Sequence, residues 1–84
     1  MKTIVSPGHL TLIAAMIAAR KSAGLTQIDL ARGLGCQQSL IARIESGQRR
    51  VDVVDLVLWA RVVGERAENF IGIVERATPQ EQKM

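Results

Sequence analysis

The chain has no tyrosine, one phenylalanine and one tryptophan, so aromatic rings cannot build its core. With 48% hydrophobic residues among 84, the interior must be aliphatic, made from Leu, Ile, Val, Ala and Met. The single cysteine, Cys36, excludes an internal disulfide, and with only one histidine, His9, it excludes a Cys/His metal site. Scarce thiols fit a reducing cytosol. No apolar run is long enough to span a bilayer. LTLIAAMIAAR at 10–20, following Lys2, looks superficially like a signal-peptide core, but Pro7-Gly8-His9 interrupts the layout and the run continues into Arg20-Lys21. A buried helix is the expectation there. There is no strand alternation, repeat or linker, and no Ser/His/Asp set or phosphate loop. We therefore expect neither an enzyme nor a bound metal or cofactor.

What is present is uneven charge and short helical periods. Residues 20–50 carry six bases (Arg20, Lys21, Arg32, Arg43, Arg49, Arg50) against Asp29 and Glu45, whereas 51–84 carry four bases against six acids. A basic block beside a mildly acidic one points to a polyanion-facing side and a second side with different work. The length suggests one domain, which at this size buries only about 60–65% of its unfolded surface, so oligomerisation would add stability.

Five helices are expected, and the fold class is all-α. Ser6-Pro7 reads as a cap and first turn, opening a helix over 7–22 whose Leu10, Ile13, Met16 or Ile17 and Arg20 recur at helical spacing, with Gly24 as its stop. Thr26 and Asp29 form a capping-box variant for a helix over about 27–33 that buries Leu30 and Ala31. Gly33 and Gly35 are expected to bracket a sharp corner through positive φ. A helix over about 37–46 turns Ile41 and Ile44 inward and ends at Gly47. Asp52 with Asp55 caps a helix over about 52–63, closed by Gly64. The last helix, 67–77, shows Phe70, Ile71 and Val74 on one face and stops before Pro79. This divides the chain into an arm at 1–6, a domain at 7–77 and a polar tail at 78–84.

Helices of about seven and ten residues cannot stand alone in water, because nucleation is costly. Joined by a glycine corner, they make a helix-turn-helix, whose second helix enters the DNA major groove. Leu25-Thr26-Gln27, Leu30-Ala31, Leu34-Gly35, Ser39, Ile41, Arg43-Ile44-Glu45 and Gly47 stand at the spacing of that unit. Here the chain resembles the lambda-repressor-like, Cro/C1-type (XRE) family over about residues 10–71, and short regulators of that family carry a segment like GQRRVDVVDL at 47–56. The resemblance implies a compact five-helix DNA-binding domain, cytoplasmic and nucleoid-associated. It also implies base reading from the N-terminal half of the third helix, by Gln37, Gln38, Ser39 and Arg43. Gln pairs bidentately with adenine and Arg with guanine.

Gln27 is implied as a brace and phosphate contact, with Lys21, Arg49 and Arg50 as further backbone contacts. Arg20 and Glu45 are implied as a structural ion pair. Two departures from the family stand out: Gln37 replaces the usual Ser or Thr cap, and Leu40 replaces a small polar residue, either touching a thymine methyl or packing locally. Cys36 stands where relatives commonly carry Val and reads as packing in preference to a redox sensor; Trp59 matches a core position of the family, and His9 reads as surface or a frayed helix start.

The fourth helix is apolar on more than one face. Val53, Leu56, Trp59, Ala60 and Val63 form the expected inward stripe, leaving Val51, Val54, Val57, Leu58 and Val62 over. The expectation is a two-fold homodimer through Val51, Val54, Leu58 and the region of the last helix, reading an inverted-repeat operator as a repressor, unless the arm and last helix cover that surface. The alternatives are an antitoxin with a toxin partner, or a restriction–modification controller. Nothing after the last helix has room for a ligand-sensing domain, so no small-molecule ligand is expected.

Overall fold

The computed structural model describes residues 6–84. Five α-helices follow one another: α1 (Pro7–Ser22), α2 (Gln27–Leu34), α3 (Gln38–Glu45), α4 (Val53–Val63) and α5 (Ala67–Ala77). The expected arm falls on residues 1–5, outside the described region, and on Ser6, whose hydroxyl accepts from the His9 amide and caps α1.

Local chemistry explains the boundaries. Thr26 and Asp29 close a complete capping box: Thr26 Oγ1 accepts from the Asp29 amide at 3.1 Å, and Asp29 Oδ2 accepts from the Thr26 amide at 2.9 Å. Hydrogen bonding to the Thr26 backbone amide first, and to the Thr26 hydroxyl after it, holds the Asp29 carboxyl below its ordinary range. Asp52 and Asp55 repeat the device on α4. Gln37 occupies the N-cap of α3 and its side chain makes no capping bond.

Of the two glycines expected at the corner, only Gly35 takes the left-handed conformation, at φ 70. Gly33 remains helical, and the physical reason for glycine there differs. A Cβ at Gly33 would lie 3.0 Å from Val62 Cγ1, so its missing side chain lets α2 approach α4.

The core gathers Leu12 and Met16 from α1, Leu30 and Ala31 from α2, and Ile41 and Ile44 from α3. Leu56, Trp59 and Ala60 from α4 and Phe70 from α5 complete it. Trp59 is fully enclosed because its one polar atom is satisfied: Nε1 donates to the Met16 carbonyl at 3.2 Å. α1 and α5 run antiparallel, Gly8 facing Thr78 and Val74 at one end. Ala15 and Ala19 share a groove with Phe70 and Asn69 further along.

One inward expectation, Val53, is corrected, and two apolar residues of the periodic rows, Leu10 and Ile71, lie outward. Val53 is 70% exposed, because the buried arc of α4 starts at Leu56 and Val53 precedes the packed turns. Leu10 is exposed because the inward row of α1 is Leu12, Ile13, Met16 and Arg20, which leaves Leu10 at the rim. Ile71 is exposed because α5 turns Phe70 inward and packs Ala67 and Val74 against the core, a row that excludes its neighbour.

Candidate nucleic-acid interface

Burial on α3 divides the helix into two sides. Ile41 is 0% and Ile44 3% exposed, which leaves Gln37, Gln38, Ser39 and Arg43 in solvent and Ala42 half-buried. Leu40 is half-buried against the core and lines a small apolar cavity with Leu34, Cys36, Leu58 and Trp59, so of the two readings the structure favours packing. Cys36 lines the same cavity, as a packing residue does.

A chain of four side chains locks this face to the rest of the domain. Arg20 Nε donates to Glu45 Oε2 at 2.7 Å and Arg20 Nη2 to Glu45 Oε1 at 3.0 Å, a fork-to-fork geometry. Arg20 Nη1 donates to the Leu25 carbonyl at 2.9 Å, which ties the turn before α2 into the same group. Gln27 Nε2 donates to Glu45 Oε1 at 2.9 Å, and Gln38 Nε2 donates to Gln27 Oε1 at 2.7 Å. The end of α1 thus holds the end of α3, which holds the start of α2, which holds the start of α3. Sequence reasoning placed the Arg20–Glu45 pair and a bracing role at Gln27, but not the link onward to Gln38. That link crosses the Gly35 corner, and no periodicity reports it.

The basic residues divide. Lys21, Arg43 and Arg50 are exposed. Arg49 is half-buried and paired, its Nη1 donating to Asp55 Oδ2 at 2.9 Å, so part of its charge serves the start of α4. The C-terminal end of α3 is closed by the Ser46 hydroxyl and the Gln48 and Arg49 amides, all donating to the Arg43 carbonyl.

His9 lies partly buried, and its Nε2 has no hydrogen-bond partner among the described residues. Burial first, then the Arg50 charge, pushes its pKa down. Among the described residues no group of three or more His, Cys, Asp or Glu could hold a metal ion, and no helix is long and apolar enough to cross a membrane.

On α4 the residues expected at a dimer interface separate. Val54 is 66% and Leu58 41% exposed, while Val51 is half-buried against its own core. The described part of the chain does not cover Val54 or Leu58, and Val53 extends their patch.

A short capped helix, a left-handed glycine corner and a second helix with one buried and one polar side define a helix-turn-helix protein. The helix-turn-helix family profile matches residues 16–69, and this chain belongs to that family. An XRE-family-like protein from Pseudomonas syringae pv. tomato str. DC3000 is 32% identical, with a TM-score of 0.78 over 86% of this chain and 88% of that one. The clp gene regulator ClgR from C. glutamicum is 17% identical, with a TM-score of 0.74 over 93% of this chain and 97% of that one, a likeness of fold. No curated protein sequence matches the chain.

Proposed function

We propose that this protein is a DNA-binding transcriptional regulator that acts as a repressor, inserting α3 into the major groove and reading an inverted repeat as a homodimer. The observation that carries the reading is the division of α3. Ile41 and Ile44 are sunk in the core, and Gln37, Gln38, Ser39 and Arg43 stand in solvent on a helix fixed at both ends by the Arg20–Glu45–Gln27–Gln38 chain. Amide and guanidinium groups are the side chains that pair bidentately with base edges. Lys21 and Arg50 supply phosphate contacts, which give affinity without sequence information; Arg49, tied to Asp55, contributes less, and Gln27 contacts phosphate only with donor capacity its two bonds leave over.

Dimerisation through α4 is supported by the exposed Val53, Val54 and Leu58. Two α4 helices packed antiparallel about a two-fold axis bring Arg61 at one end toward the acidic Asp52 end of the other, so the surface is complementary to itself. Such a dimer sets two α3 helices about 34 Å apart, one turn of DNA. The same apolar patch favours the second reading, an antitoxin that covers a toxin with α4. Selection of bound duplexes from a random pool at stated salt tests the first reading, which expects an enriched palindrome. Co-purification of a second small protein with the natively expressed chain tests the other.

A further inference from the structure

The apolar cavity beside α3 lies where that helix meets α4. It holds about 90 Å³, with Cys36, Leu40, Leu58 and Trp59 among its walls and Asp55 as its one charged lining group among the described residues. An apolar cavity of about 150 Å³ stays dry and admits benzene, so this smaller one suits an aliphatic side chain. Leu58 stands at its mouth, because it lines the cavity and is still 41% exposed. The cavity therefore opens onto the α4 patch, and whatever covers Leu58 also closes the cavity.

Charge selects the occupant. Two antiparallel helices related by a two-fold axis at residue 58 set each position against the one equally far beyond 58 on the other helix. Leu58 then meets its own copy, Val54 meets Val62, and Asp55 meets Arg61. Arg61 is exposed and makes no ion pair among the described residues. Asp55 has capacity to spare: Arg49 Nη1 and the Asp52 amide both donate to its Oδ2, and its Oδ1 receives no hydrogen bond among the same residues. A register that pairs Arg61 with Asp52 would instead press Leu58 against the Asp55 carboxylate, an unfavourable contact for a charge.

We infer that the occupant is a second copy of this chain, centred on Leu58, whose Leu58 enters the cavity and packs under Leu40 and Cys36. Arg61 of each copy meets Asp55 of the other. The contact between copies then supports α3 from behind, so the face toward DNA and the face toward the second copy share one wall. This register presupposes the α4 dimer proposed above and adds the side chain that the copies exchange.

Cys36 reports the filling in the unaltered protein. Its half-buried thiol lies in the cavity wall, so its labelling by 5,5′-dithiobis(2-nitrobenzoate) slows when the cavity is closed. At about ten times the dimer dissociation constant, about a fifth of the chains remain monomeric by mass action, and labelling is expected to be about fivefold slower than in dilute protein. Sedimentation of the same samples gives the dimer fraction. Arg61→Glu, exposed and outside the cavity wall, is expected to stay monomeric and to label at the dilute rate at every concentration.

The register has its own check. In a Cys36→Ser background, Leu58→Cys is expected to form a disulfide between copies on mild oxidation and Val54→Cys is not, since only a residue on the axis faces itself. Circular dichroism confirms that each variant is helical. A dimer in sedimentation whose Cys36 labels at the dilute rate, or crosslinking through Val54→Cys and not Leu58→Cys, overturns the inference and leaves the dimer standing. A wild type that stays monomeric overturns both.

Discussion

Arg20 and Glu45, 25 positions apart, meet through two hydrogen bonds of 2.7 and 3.0 Å, with side chains only 10% and 7% exposed. Removing one member strands the other's charge inside the domain. Arg20→Met or Glu45→Ala is expected to lower unfolding free energy by about 3 kcal/mol, and the double variant to lose less than the sum. Urea titration of the four proteins in a mutant cycle checks this; additive losses would mean that the pair carries no coupling.

The start of α3 lacks the cap that the starts of α2 and α4 have. Gln37→Ser supplies a hydroxyl able to accept from the first-turn amides, so it is expected to raise stability by about 1 kcal/mol. Thermal unfolding measures the gain. If Gln37 faces bases, the same variant also alters DNA selection, which would explain why a weak cap is kept here.

His9 makes stability respond to pH. Its folded-state pKa is lowered, first by burial and then by Arg50, so the unfolded chain binds a proton more readily. The His9 contribution is fully present above the unfolded pKa of about 6.5 and is lost as pH falls through the lower folded value. Stability is therefore expected to decline as pH drops below about 6.5, and His9→Asn to flatten that part of the curve. Urea midpoints at stepped pH decide it.

The α4 patch predicts an association that one charge abolishes. Leu58→Glu is expected to shift the protein from dimer to a 9.2 kDa monomer in sedimentation at micromolar concentration, with helix content unchanged. A wild type that already sediments as a monomer removes the dimer from the account.

Helix ends were legible in the sequence because their causes are local. Ser6, Thr26 and Asp52 each accept from an amide three residues on, and Gly35 needs no neighbour to prefer a left-handed corner. The buried pairs Leu30–Ala31 and Ile41–Ile44 were legible from helical spacing. Rim positions were not: Leu10, Val53 and Ile71 lie at the edge of an apolar arc, and whether an edge is covered depends on where the adjoining helix crosses. Gly33 misled for a similar reason, since its use is the approach of Val62 from a distant helix. At the interface, exposure of Gln37, Gln38, Ser39 and Arg43 followed from the burial of Ile41 and Ile44. The hydrogen bond from Gln38 to Gln27 did not, because it depends on the angle at which α2 and α3 cross.

The most direct measurement is binding of Arg43→Ala and Arg50→Ala to the selected site and to a scrambled duplex across a salt series. Arg43→Ala is expected to lose about 1–3 kcal/mol on the selected site alone, relaxing base choice at one position. Arg50→Ala is expected to weaken both duplexes alike and lower the salt slope by about one. Undiminished discrimination by Arg43→Ala would contradict the assignment of α3 as the helix that reads DNA.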